Sequence, residues 1–276
     1  MPLPAPADGS TALVTGASSG IGLAIARGLA KRGHGVTLVA RRRERLEKLA
    51  TELATEHGVR TEAITADLGD SAGRDSLAEQ VAANGLDVEI LINNAGFGIY
   101  EPFASAGRER ELQQLGVLVD AVVDLNSRYL PPMLERGRGA ILNMSSTSAF
   151  QVLPGNGTYA AAKAYVLFHS EALTEEVRDS GVTVTACCPG PVHTEFQEVG
   201  QPLLMDGMPK FVWIDAERCA EDSIAGLQDG KRTVIPGPAR VRAFFAPNRM
   251  APPRLKLAFA RRMLKGELER GRGNAA

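Results

Sequence analysis

Short apolar runs alternate with longer amphipathic stretches along most of this chain, and that rhythm admits few folds. Residues 11–15, 36–40, 60–66, 88–92, 139–144 and 182–188 read as buried strands, and 233–235 as a seventh. Between them lie helical patterns at 21–32, 44–56, 71–83, 108–134 and 159–179, with stripes such as Ile21, Ala24, Ile25 and Leu29, or Leu46, Leu49 and Leu53. Strands that are apolar throughout are buried on both faces, which is the mark of a parallel sheet. The pattern predicts an α/β fold: a doubly wound, mostly parallel sheet of about seven strands with helices on both faces. The alternation is unbroken from about residue 11 to 236, so residues 1–276 form a single domain. A stretch rich in Pro, Gly and Met interrupts it and predicts a flexible lid near 195–214. A helical extension is expected near 240–270.

Composition narrows the function. Hydrophobic residues make up 44 % of the chain and aromatic residues 5 %, so Ala, Val, Leu and Ile must fill the core. The formal charge of -1 offers nothing to a polyanion, and nucleic acid is not an expected partner. Cys187, Cys188 and Cys219 show no metal-ligand spacing, nor do His34, His57, His169 and His193, so no metal site is expected. Small buried thiols suit a reducing compartment, and the first residues lack the pattern of a secretory signal; a cytoplasmic location follows as an expectation. His34 and His57 are expected to be exposed near helix ends.

The segment from Thr15 to Gly22, Thr-Gly-Ala-Ser-Ser-Gly-Ile-Gly, sits where the first strand meets the first helix. Gly16, Gly20 and Gly22 let the backbone turn tightly and approach a pyrophosphate. The helix N-terminus behind them, with Ser18, Ser19 and Ile21, offers unpaired N–H groups. A dinucleotide site often ends its second strand in an acid that binds the ribose 2′-OH. Here that place holds Arg41, Arg42 and Arg43 and no acid. Guanidinium groups match a 2′-phosphate in charge and geometry, and Arg41, the first residue beyond the strand, is the candidate for it. Arg43 reads as part of a solvated first helical turn. NADP is the cofactor these residues imply.

Tyr159 and Lys163 stand four residues apart and share one helix face. A phenol titrates near about pH 10, and a neighbouring ammonium favours its ionised form. Such a pair can exchange a proton with a carbonyl or carbinol oxygen. Upstream, Asn143-Met-Ser-Ser146 ends the fifth strand. Together with Thr15 to Gly22, Asp67-Leu68, Asn93-Asn-Ala-Gly96 and Pro189-Gly-Pro-Val-His-Thr194, these segments resemble, in order, those of the short-chain dehydrogenase/reductase family. The resemblance is to an NADP-preferring, ketoacyl-reductase-like member.

That resemblance implies a Rossmann-like fold and roles for the matching residues. Tyr159 would donate the proton in reduction. Lys163 would lower the phenol's pKa and hold the nicotinamide ribose, and Ser146 would hydrogen-bond the substrate carbonyl. Asp67 and Leu68 would meet the adenine, and Asn94, Ala95 and Gly96 would line the central cofactor region. Pro189, Gly190, Val192 and Thr194 would surround the carboxamide end. Asn94 would also tie neighbouring strands together. Ser146 is chosen over Ser145 because it stands 13 residues before Tyr159, as in many members. Where the family carries an Asn that supports a proton-relay water, an ungapped reading puts Leu118. Asn126 lies about 12 Å further along a helix.

The implied activity is NADPH-dependent reduction of a carbonyl, or oxidation of the matching alcohol. A cofactor-binding scaffolding or regulatory protein with weak catalysis is the alternative that Leu118 raises. Met205, Met208, Phe211 and Trp213 form either an apolar lid for a hydrophobic carbonyl substrate or packing for an irregular segment. Residues 254–270 read as a basic amphipathic helix that docks on the parent domain or another subunit, with peripheral membrane contact as the second reading. Homo-oligomers are common in the family, and Ala160, Ala161, Ala162 and Ala164 would permit close helix contact.

Overall fold

The computed structural model describes residues 3–196, 208–252, 254–258 and 260–261. Seven strands form one sheet in the order β3-β2-β1-β4-β5-β6-β7, and every neighbouring pair is parallel. They are β1 (Ser10–Thr15), β2 (Val36–Ala40), β3 (Thr61–Thr65), β4 (Asp87–Asn93), β5 (Gly139–Met144), β6 (Val182–Cys187) and β7 (Thr233–Val234). The helices are α1 (Gly20–Lys31), α2 (Arg43–His57), α3 (Ser71–Ala83), α4 (Arg108–Leu115), α5 (Ala121–Arg136), α6 (Gly157–Glu176), α7 (Ala216–Gln228) and α8 (Ala239–Met250).

Alternate residues of the central strands feed two cores, one on each face of the sheet. Ala12, Val14, Ile90, Ile92, Ala140 and Leu142 pack with α1, α2 and α7 residues such as Ile25, Leu49 and Ile224. Leu13, Leu91 and Ile141 point the other way, onto Leu77 and Val81 of α3 and Leu125 and Met133 of α5. This two-sided burial is why the strands read as continuous apolar runs rather than alternating ones. The chain lays β1, β2 and β3 outward in one direction and returns to place β4 against the other side of β1. A crevice therefore opens beyond the carboxyl ends of β1 and β4, where open α/β sheets place their ligands.

The helical pattern at 108–134 proves to be three pieces. A π-helical turn at Gly116–Asp120 joins α4 to α5. Gly116 passes so close to Gly69 that a Cβ would lie 2.8 Å from the Gly69 carbonyl oxygen. Such turns are rare and favour functional sites; this one carries Leu118.

The region expected to be a lid divides. Residues 197–207, with Met205, lie outside the described residues. Beyond them Val212 is fully buried with Val241 and Phe245 of α8. Phe211 meets Phe244 edge-on at 5.6 Å, and Trp213 stacks on His193 at 4.8 Å. Phe211 and Trp213 thus pack on α8 and the loop after β6 and do not line the crevice, whereas Met208 does.

The extension near 240–270 contains α8 and a helical piece at 254–258, in which Leu255 and Leu257 are exposed while Ala260 beyond it is buried. Arg262, Met263 and Lys265 are outside the described residues. No described helix is long and apolar enough to cross a membrane. Two expectations are corrected by burial. His34 is 7 % exposed, tucked behind the end of α1, where burial and Arg32 lower its pKa; His57 is half-buried. Ala160 and Ala162 pack inside this chain, so only Ala161 and Ala164 reach the outer face of α6.

Candidate active site

The crevice is a cavity of 420 Å³. Gly16, Ser18, Ser19, Gly20 and Ile21 form its floor beside β1. Gly16 adopts φ 68°, and a Cβ there would stand 2.7 Å from Asn94 Nδ2. The turn needs glycine for both conformation and space. Gly22 does not line the crevice. A Cβ on it would lie 2.4 Å from the Gly16 carbonyl oxygen, so its bare backbone lets α1 start against the turn. Ser19 is the N-cap of α1 but makes no capping bond, which leaves the first N–H groups of the helix to a ligand.

Arg41, Asp67 and Leu68 line the far end, beyond β2 and β3. Arg41 makes no hydrogen bond or ion pair to a described residue. Arg42, not singled out from the sequence, is the more structured of the two. Its Nη2 donates to Ser18 Oγ at 3.0 Å and Ser19 Oγ at 2.7 Å, and its Nη1 to Glu195 at 2.8 Å. Asp67 accepts from Gly69 N at 3.0 Å.

In the centre, Asn94, Ala95 and Gly96 follow β4. Asn94 Nδ2 donates to Thr15 O at 2.9 Å, and Thr15 Oγ1 accepts from the Asn94 and Ala95 N–H groups, tying β4 to β1. A Cβ at Gly96 would lie 2.7 Å from Leu118 and 3.8 Å from Lys163 Nζ. Pro189, Gly190, Val192 and Thr194 enclose the remaining side. Val192 bridges to Ile214, and the Thr194 methyl would stand 3.1 Å from a Cβ on Gly20.

Ser146, Tyr159 and Lys163 converge on the same cavity. Ser146 caps a short 3-10 turn at Thr147–Phe150 and accepts from Ser148 N at 3.1 Å. Ser145 turns away and donates to the Lys163 carbonyl at 2.6 Å. Lys163 Nζ lies 5.6 Å from the Tyr159 ring centroid and donates to Met144 O at 2.7 Å.

Burial raises the Tyr159 phenol well above its ordinary pKa; Tyr100 adds to this, and the Ser146 hydroxyl opposes it. Lys163 is buried beside it, at 4 % exposure. Its own charge is penalised by burial, which brings it down to about 8. The resting phenol is neutral, the form that donates a proton.

Leu118 stands where the ungapped reading put it. It is 1 % exposed and packs on Tyr159 and Ala162. Asn126 does not replace the missing amide. Its Oδ1 accepts from Asn93 Nδ2 at 2.9 Å, within a buried chain that runs through Asn143 to Ser170.

The end of the cavity beside Tyr159 holds residues that the motifs did not mark. Phe97, Leu153, Phe196 and Met208 supply apolar wall, and Phe196 meets the Tyr159 ring at 5.9 Å. Tyr100 and Asn156 both line the cavity there, and burial pushes the Tyr100 phenol up to about 12, against the opposing effect of Asn156. Tyr100 follows Gly96 by four residues, so its place just beyond the carboxyl end of β4 was the available signal.

Residues 10–202 match the family model described as short chain dehydrogenase, and the chain belongs to that family. The very-long-chain 3-oxoacyl-CoA reductase of Anas platyrhynchos is 34 % identical over 207 residues, covering 71 % of this chain and 64 % of that protein. Its counterpart from Homo sapiens is 32 % identical over 209 residues, covering 74 % and 66 %. The chain thus spans just under two thirds of the length of these relatives. Among solved structures, a short-chain dehydrogenase from Sphingobium yanoikuyae in complex with NADPH is similar, with a TM-score of 0.78 and 31 % identity over 93 % of this chain and 95 % of that one.

Proposed function

We propose that this protein reduces a hydrophobic ketone with NADPH, with 3-oxoacyl thioesters as the first substrate class to test. The convergence of Ser146, Tyr159 and Lys163 on the glycine-floored crevice carries the reading. The names of the relatives support the substrate class, and the apolar wall of Phe97, Leu153 and Phe196 is compatible with it.

The crevice fits the cofactor on its own chemistry. Bare backbone at Gly16 and Gly20 and the uncapped start of α1 suit a pyrophosphate, while Arg41 and Arg42 suit a 2′-phosphate. Asp67 and Leu68 stand at the adenine end. Asn94, Ala95 and Gly96 line the middle, and Pro189, Gly190, Val192 and Thr194 the nicotinamide end. Bound NADPH supplies a hydride to the carbonyl carbon. Tyr159 gives its phenolic proton to the carbonyl oxygen, and Ser146 donates a hydrogen bond to that same oxygen as charge grows on it. The Lys163 ammonium steadies the phenolate left behind. Phe196, packed on the Tyr159 ring, keeps water from the reacting centre.

The test is to mix purified protein and NADPH with ketones, aldehydes and 3-oxoacyl thioesters and follow loss of NADPH absorbance. Turnover of a long-chain 3-oxoacyl thioester is the expected result. Cofactor binding without turnover across the panel would instead support a weakly catalytic binding protein, the reading that Leu118 favours.

Two further outcomes are expected. Lys163 is protonated below about pH 8 and neutral above it, so kcat/KM for reduction should be level below that pH and fall as pH rises through it. A pH profile of Lys163→Arg, whose charge persists, should lack that limb; an unchanged limb assigns it to another group. Arg41→Ala should weaken NADPH about tenfold while sparing NADH, since it removes a charge-assisted bond to phosphate. Titration of both nucleotides checks this, and equal losses would take Arg41 out of the phosphate site.

A further inference from the structure

Glu195 follows directly on Thr194 and lines the crevice together with Arg42. Its two oxygens are divided between two guanidinium groups. Oε2 lies 2.8 Å from Arg42 Nη1 and Oε1 lies 2.7 Å from Arg45 Nη1. The other edge of Arg42 is fixed to the glycine turn, with Nε 3.2 Å and Nη2 3.0 Å from Ser18 Oγ and Nη2 2.7 Å from Ser19 Oγ. One guanidinium therefore joins the turn after β1, the start of α2 and the loop after β6, with an anion already seated on it.

We propose that the Glu195 carboxylate is an internal surrogate for the cofactor's 2′-phosphate: it occupies Arg42 in the free protein, gives it up when NADPH binds, and so limits how strongly the protein prefers NADPH over NADH. The inference rests on the NADPH reading above.

Three observations support the exchange. A carboxylate carries one charge and a phosphate monoester close to two, with more acceptor oxygens, so the incoming group is the better partner for the same guanidinium. The ion pair is half exposed, with 44 % of the Arg42 side chain and 40 % of the Glu195 side chain accessible, so little is lost in opening it. Arg45 keeps the other carboxylate oxygen, so Glu195 retains a cation after leaving Arg42. Staying in place beside a phosphate would set like charges together. Arg42 is thus the contested cation and Arg41 the uncontested one.

The test is Glu195→Gln, which keeps the shape and removes the charge. Nucleotide fluorescence would give the Kd of NADPH and of NADH for wild type and variant. NADPH should bind about three- to tenfold more tightly to the variant, and NADH should be unchanged. In an Arg42→Ala background the same substitution should leave NADPH affinity where it was. Weaker NADPH binding, unchanged binding, or an equal shift for both nucleotides would overturn the proposal. So would an undiminished gain in the Arg42→Ala background, since the carboxylate would then act through its charge at a distance. Wild-type protein that binds neither nucleotide, or both alike, would overturn the NADPH reading itself and this inference with it. A wild-type preference for NADPH that E195Q leaves untouched would sink the inference alone.

Discussion

Replacing Tyr159 with phenylalanine should lower turnover by about 10²- to 10⁴-fold, the range that a positioned proton donor contributes. The ring stays, with its contacts to Phe196 at 5.9 Å and to the hydrophobic cluster around Leu118. Only the hydroxyl is lost. Cofactor affinity should therefore change little. Single-turnover kinetics beside a NADPH titration separate the two effects. Residual turnover near wild type with lost NADPH affinity would mean that Tyr159 binds and does not donate.

The second large effect is expected at a position that never faces the crevice. Gly22→Ala puts a methyl 2.4 Å from the Gly16 carbonyl oxygen and 2.4 Å from Asn94 Nδ2. One neighbour is backbone, and the other is held by its bond to Thr15 O. Neither can retreat without opening the turn. The cost should reach about 3 kcal/mol, the upper end for overpacked interiors, and NADPH affinity should fall with it. Denaturant unfolding measures the first and titration the second. Gly157→Ala is the control, since a Cβ there meets nothing within 4 Å. Equal stabilities of the two variants would show that the turn yields more readily than its packing implies.

The fold was legible because its determinants are local. Burial on two faces writes itself into the central strands as apolar runs, and α3 falls at Ser71–Ala83 as its periodicity requires. The site residues carried by motifs were legible for a similar reason: each lies within a few residues of a strand end, and the sheet brings those ends together. What sequence could not show depends on contacts between distant segments. Arg42 and Glu195 are 153 residues apart, and nothing in either neighbourhood announces their pairing. The π-turn at Gly116–Asp120 arises where Gly116 meets Gly69, a tertiary contact hidden inside a smooth helical pattern. The burial of the phenol was not legible, because helical spacing places the ammonium near it but says nothing of what covers the pair or of the Met144 carbonyl that takes the ammonium's hydrogen bond. His34 was misjudged likewise, since a residue after a helix can still be covered by the chain beyond.

The buried asparagines have a consequence for assembly of the catalytic machinery. Asn93 and Asn143 face each other as register partners on β4 and β5, and their buried side chains join at 2.8 Å, with Asn126 and Ser170 as their further partners. A slip of one residue between these strands would put the two amides on opposite faces of the sheet and leave each without the other. The strand ends that deliver Asn94 and Ser146 are therefore pinned level by a polar clip one to three residues behind them. Misaligned intermediates cannot close this part of the sheet at low cost, so the arrangement around Asn94 and Ser146 should form in the same cooperative step as the sheet's centre rather than be adjusted afterwards.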